Sequence, residues 1–322
     1  MRTLLVLLLV PACAPGQVDG PTTDKARALA MDVDGDRVFS DVVALAGLHA
    51  KDTRVDCASL NSRADTWCNL TNDAARRFLE ERFRSLGLSP VADEVMDHPA
   101  TRNVVVDLRG TSKPDEVVLV GAHFDAFFMG ADDNSSGVAV MLELARLLAT
   151  RPLARTVRFV GFDHEEIGLV GSTRHARGRP APKVSLVFDC VGYADSTPGS
   201  QASPVGFPSS PAGDFLAVVA NDVSRSRAEE VLQVAAGHGA PPLVPIISPG
   251  LGAGPLSGNL MRSDHAPFWL AGESAVFFTD TANFRNKNYH TRLDTPDTLN
   301  RPFLTGVAKA AAMAVVAWGD AP

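Results

Sequence analysis

Apolar residues recur along this chain with two different periods. From residue 37 to 50, Val38, Val42, Leu45 and Leu48 fall on one face at helical spacing, which predicts an amphipathic helix. Asn72 to Leu86 repeats that spacing, with Asn72 placed to cap it. From residue 103 the pattern changes. Asn103 to Leu108 and Val117 to Val120 read as strands, Val138 to Ala149 as a helix with one buried face, and Val157 to Phe162 as a strand again. Val184 to Phe188 and Ala275 to Phe278 are short β-rich runs, and Phe303 to Trp318 makes a closing helix. Strands alternating with helices predict an α/β sandwich around a mixed, largely parallel central sheet flanked by helices.

Residues 195 to 262 interrupt the alternation. They are rich in Gly, Pro and Ser around one helical piece, Asp222 to Ala236, and read as a loop-rich excursion from a single domain spanning residues 25 to 322. With 45% hydrophobic and 21% charged residues the chain can bury a sizeable core, which excludes a disordered or fibrous protein. A net charge of −7 gives no electrostatic reason to expect a nucleic-acid partner.

The first thirteen residues differ from the rest. Arg2, the apolar run Leu4 to Val10 and then Pro11-Ala12-Cys13 have the form of a signal peptide, too short for a transmembrane helix. The segment also resembles a bacterial lipoprotein signal, in which Cys13 becomes the lipidated first residue and attaches the chain to a membrane. Residues 14 to 24 follow as a polar tether. An exported protein is therefore expected, either tethered in the cell envelope or secreted. In an oxidising compartment Cys57 and Cys68 are near enough in sequence to close a small loop, leaving Cys190 over; three free thiols is the other reading.

The ionisable residues of interest stand just past the strands, where α/β folds place their ligands. Val117 to Val120 leads into Gly121-Ala122-His123-Phe124-Asp125, and soon after comes Gly130-Ala131-Asp132-Asp133-Asn134-Ser135-Ser136-Gly137. Phe162 is followed by Asp163-His164-Glu165-Glu166, Phe188 by Asp189, and the strand ending at Phe278 by Tyr289-His290. Crowded carboxylates repel one another unless a cation sits between them. Imidazole and carboxylate donors without thiolates suit zinc in a hydrolytic site. Of the adjacent Glu165 and Glu166, one can hold metal while the other moves protons.

The segments GAHFD, GADDNSSG, HEEIGLVGS, FDCVG and YHTRLDTPD resemble, in order, the signatures of the co-catalytic di-zinc aminopeptidases, over residues 100 to 318. That resemblance implies a three-layer zinc-exopeptidase sandwich holding two zinc ions. Asp133 would bridge them, a register favoured over Asp132; His123 and Asp189 would complete one site, Glu166 and His290 the other. Glu165 would be the general base, Tyr289 would stabilise the tetrahedral intermediate, Asp125 would support His123, and Asp264 of Ser263-Asp264-His265 would lie close by. The implied substrates are peptides with a free N-terminus. Three other readings stay open: a single-zinc glutaminyl cyclase, a carboxypeptidase-like relative, and a binding protein that has lost activity. His49, His98, His175 and His238 fit no ligand pattern and read as surface or structural.

Overall fold

Successive strand side chains point to opposite faces, and here they fill two separate cores. A computed structural model describes residues 20–50, 69–94, 101–204, 210–252 and 257–322. The export signal with Cys13, the Cys57–Cys68 pairing and His98 lie outside the described residues. The strands are β1 (Val91–Glu94), β2 (Arg102–Leu108), β3 (Lys113–His123), β4 (Arg155–Phe162), β5 (Val184–Phe188), β6 (Leu216–Asn221), β7 (Leu243–Ser248) and β8 (Ala275–Thr279). They form one sheet in the order β1-β2-β4-β3-β5-β8-β6-β7. β4, β3, β5 and β8 run parallel through its centre. β1 and β2 add antiparallel pairings at one side; at the other β6 runs antiparallel to β8 and β7 parallel to β6.

The helices are α1 (Pro21–Met31), α2 (Gly35–Ala50), α3 (Asn69–Ser85), α4 (Gly137–Leu148), α5 (Val170–Gly178), α6 (Arg225–Ala235), α7 (Ala266–Leu270) and α8 (Arg301–Gly319). Val118, Val120, Leu186, Phe188 and Phe278 face the larger core, shared with α1 to α4, α6 and α8. Leu119, Val160, Phe162, Val187 and Phe277 face the smaller one, closed by Ala176 of α5 and Phe268 and Trp269 of α7. Burial on both faces explains why the central strands read as continuous apolar runs rather than alternating ones. α8 has the length and hydropathy to cross a membrane, but 78% of its apolar window is buried inside the fold, as a core helix requires. Asn300 starts it, Oδ1 accepting the backbone N–H of Phe303 at 3.0 Å.

Three expectations are corrected. Residues 21–24 are not tether: α1 begins at Pro21, a residue suited to the first helical turn, and buries Ala26, Leu29 and Ala30. The 195–262 stretch is not only loop around a helix, because it contributes β6 and β7. β7 is hard to see because Pro245 interrupts Leu243 to Ser248, and proline is tolerated there because the strand lies at the sheet edge. Asn72 does not cap α3, which begins at Asn69; its Nδ2 instead donates to Asp163 Oδ1 at 2.8 Å. A tertiary partner has taken the side chain that local pattern assigned to the helix end.

Candidate metal centre

Strand register brings the chemistry to one edge. His123, the last residue of β3, lies opposite Phe162 of β4, and Ala122 opposite Phe188 of β5. Whatever follows Phe162 and Phe188 therefore emerges level with His123, and Asp163 to Glu166 and Asp189 do so. Asp133 arrives from the turn Ala131–Ser136 between β3 and α4, and His290 from the loop beyond β8.

That turn is held from both sides. Asp294 accepts the backbone N–H groups of Asp132 at 2.9 Å and Asp133 at 3.1 Å, one on each carboxylate oxygen. Asn134 Nδ2 donates to the Phe188 carbonyl at 2.8 Å while its Oδ1 accepts the Gly137 N–H. Gly130 opens the turn at φ 51, and a Cβ there would meet the Asp133 carbonyl at 2.4 Å. Asp132 is fully occupied, accepting the Gly192 N–H and the Asn286 amide, each on its own oxygen. Asp133 is the one left facing the imidazoles.

Its two oxygens divide between them. Oδ1 lies 3.3 Å from His123 Nε2, and Oδ2 lies 2.8 Å from His290 Nε2. Asp189 Oδ1 is 3.6 Å from the first imidazole, and Glu166 Oε2 3.2 Å from the second. Two potential ligand groups result, His123–Asp133–Asp189 and Asp133–Glu166–His290, each with its donor atoms within 4.8 Å of one another and with Asp133 common to both. Both imidazole Nε2 atoms and Glu166 Oε1 are buried without a hydrogen-bond partner. Buried polar atoms are rarely left so; close approach without hydrogen-bond geometry is what donors converging on a cation look like. His123 Nδ1 lies 3.0 Å from the Asp125 backbone carbonyl, which places a proton there and makes Nε2 the nitrogen that a metal would bind in exchange for its proton.

The support expected from Asp125 takes a different form. Its carboxylate accepts the backbone N–H groups of Glu165 and Glu166, each at 3.1 Å, so it aims the glutamate pair as well as lying 3.4 Å from His123. Glu165 joins His123 and Glu166 in a third close group. Burial raises the Glu165 carboxyl well above its ordinary value, with the charges of Glu166, Asp189 and Asp264 adding to the effect and His123 opposing it. Glu166 is pushed to about 8 by burial and by Asp133, against His290. Burial disfavours the His290 cation, yet the close Asp133 and Glu166 carboxylates raise its pKa to about 10. The site thus retains protons in place of the positive charge its carboxylates demand.

Tyr289 stacks on His290 with ring centroids 3.8 Å apart, and Phe127 packs against that imidazole from 4.5 Å. Asp264 is buried near the centre, its carboxyl raised to about 7 chiefly by burial, but it joins neither ligand group. His265 beside it is structural, Nε2 2.6 Å from the Leu260 carbonyl and its ring stacked on Phe277. His49 and His175 are buried and join none of the ligand groups, His175 lying on Asp93 at 3.0 Å, and His238 is exposed. Asp294, Asn134 and Phe127 were not foreseen. Asp294 stands four residues after His290 within YHTRLDTPD, and only its place in that motif hinted at a role.

The model of peptidase family M28 matches residues 103–315. The chain belongs to peptidase family M28. This M28 chain is 33% identical over 262 residues to the uncharacterized protein YfbL of Escherichia coli K12, covering 74% of this chain and 77% of that protein. An aminopeptidase of Pseudomonas aeruginosa is 41% identical over 114 residues, covering 33% of this chain and 21% of that much longer protein. Among solved structures, the zinc aminopeptidase BSAP from Bacillus subtilis matches with a TM-score of 0.53 at 27% identity, covering 68% of this chain and 50% of that one. A glutaminyl cyclase from Porphyromonas gingivalis shares the fold, with a TM-score of 0.60 at 20% identity over 88% of this chain and 98% of that one. The α/β sandwich, the metallopeptidase class and peptides as substrates follow from family membership.

Proposed function

We propose that this M28 peptidase is an aminopeptidase that releases N-terminal residues from peptides with two zinc ions sharing Asp133. One observation carries the reading: two three-residue donor groups meet at a single carboxylate whose oxygens face different unpartnered imidazoles. Nitrogen and carboxylate donors without thiolate fit zinc. His123, Asp133 and Asp189 would hold one ion, and Asp133, Glu166 and His290 the other. Bound zinc supplies Lewis acidity toward a carbonyl oxygen and acidifies water toward neutral pH.

Glu165 is the proton carrier. Its raised pKa suits a group that takes a proton from the attacking water and gives it to the leaving amine. Asp125 fixes it through the Glu165 and Glu166 N–H groups, so the carboxylate keeps its place as it changes charge. Tyr289, stacked on His290, offers a hydroxyl to the oxygen on which charge develops. The likeness to the Bacillus zinc aminopeptidase and the Pseudomonas aminopeptidase supports this choice among M28 activities. We also infer export, from the Leu4 to Val10 run and Cys13; palmitate labelling lost in Cys13→Ser tests the lipidated form.

The test is hydrolysis of aminoacyl-p-nitroanilides and their N-acetylated analogues, with metal content measured on the same sample. Cleavage confined to free N-termini, with two zinc ions per chain and loss on chelation, is the expected result. One zinc per chain with ammonia release from glutaminyl peptides would replace this reading with the cyclase one.

A further inference from the structure

A cavity of about 70 Å³ adjoins the metal centre. Phe215, Val219, Ile246, Leu260, Phe277 and Phe284 give it an apolar wall, and it reaches Asp189 and Tyr289. Of its described lining residues only Asp189 and Arg262 carry charge. Asp189 belongs to a ligand group, whereas Arg262 has no such duty.

Arg262 is exposed, and its partners among the described residues are neutral. Nη1 donates to Asn283 Oδ1 at 2.8 Å and Nη2 to the Tyr289 hydroxyl at 3.2 Å. Arg146, Arg155 and Arg158, by contrast, are each held on a carboxylate. A guanidinium presents five N–H groups in a planar fork, so Arg262 keeps donors for a further acceptor, and a carboxylate is the one such a fork matches. Its central carbon lies 5.8 Å from the Tyr289 ring centroid, itself 3.8 Å from the His290 ring, so the fork stands within ~10 Å of that ligand. An extended residue spans at most ~3.6 Å. A carboxylate one or two residues beyond the scissile bond comes within reach of this rim.

We propose that Arg262 receives the C-terminal carboxylate of the substrate, making the chain selective for dipeptides and other short peptides whose N-terminal side chain enters the apolar cavity. This rests on the aminopeptidase reading. An acidic side chain is the other source of a carboxylate, but a cavity walled by Phe, Val, Ile and Leu disfavours burying one.

The experiment compares kcat/KM for Leu-Leu and Leu-Leu-amide on the zinc-loaded full chain, in wild type, Arg262→Ala and Arg262→Lys. Leu-p-nitroanilide is the carboxylate-free reference. Wild type should prefer the acid over the amide by about 10- to 100-fold, the worth of a charge-assisted hydrogen bond. Arg262→Ala should bring that ratio near one, and Arg262→Lys should restore part of it. An effect of Arg262 through Tyr289 alone would slow all three substrates equally and leave the ratio unchanged, which overturns the proposal. A preference for Glu- over Gln-p-nitroanilide that Arg262→Ala abolishes, with no acid-over-amide preference, overturns the C-terminal assignment. Failure of wild type to cleave Leu-Leu, Leu-Leu-amide and Leu-p-nitroanilide alike refutes the aminopeptidase reading and this proposal together; cleavage with a flat acid-to-amide ratio refutes only the proposal.

Discussion

Asp294 belongs to neither ligand group, yet its loss should weaken metal binding. Its carboxylate accepts the N–H groups of Asp132 and Asp133 from a buried position, so Asp294→Ala removes both acceptors behind the shared ligand. Zinc beside Asp133 favours the ionised Asp294 carboxylate, and a hydrogen bond to a charged acceptor contributes about 1.5–3 kcal/mol, which sets a ceiling of ~3–6 kcal/mol for the two. Water entering the vacated volume recovers part of that, and about 3 kcal/mol is the expected penalty for holding Asp133 in its ligating position. At 1.4 kcal/mol per tenfold, that weakens zinc binding by about 100-fold, the upper end of what residues supporting metal ligands usually cost. Competition against a fluorescent zinc chelator measures the affinity, and urea unfolding in excess EDTA measures stability separately. Asp294→Asn keeps one acceptor and should fall between, and activity should return in both variants at saturating zinc. Wild-type zinc affinity in a folded Asp294→Ala protein would refute the claim that this carboxylate positions Asp133.

Other outcomes follow from the same geometry. Glu165→Gln should lower turnover by about 10²–10⁴ with zinc content unchanged, whereas Asp133→Ala should lose both; elemental analysis beside the rate assay separates the two. Gly130→Ala puts a Cβ 2.4 Å from the Asp133 carbonyl in a left-handed backbone and should cost about 2–4 kcal/mol, read as a lower Tm with weaker zinc retention. In the zinc-free protein, burial holds Glu166 at about 8, Asp294 at about 8 and Asp264 at about 7. The folded chain then keeps protons that the unfolded chain releases near pH 4, so zinc-free stability should fall as pH rises from about 4 to 8. His290, held at about 10, continues that slope above its ordinary value. Because zinc displaces these protons, the Tm gain on adding zinc should widen from about pH 5 to 8. A gain independent of pH would count against the proton-retaining site.

The central sheet was legible because β5, β8 and the second half of β3 are buried on both faces and largely apolar, and Arg158 is the one charged residue between Val157 and Phe162 of β4. The ligand candidates were legible for a related reason: register places whatever follows those strands at one edge, so strand ends and chemistry coincide. Choosing Asp133 over Asp132 was not a matter of composition, since the two are adjacent and identical. Contacts far along the chain separate them, Gly192 and Asn286 engaging the Asp132 carboxylate and Asp294 fixing both backbone N–H groups. β7 stayed hidden behind Pro245, and Asn72 behind a tertiary bond to Asp163 that outcompeted a local cap. Arg262 carries no local signal at all; its interest lies in the neutral partners the fold assigns to it.

Zinc anomalous scattering from crystals of the metal-loaded chain tests the shared-ligand site most directly. Two peaks on either side of Asp133 are expected, one contacted by His123 and Asp189 and the other by Glu166 and His290. A single peak, or two peaks that Asp133 does not join, would contradict it.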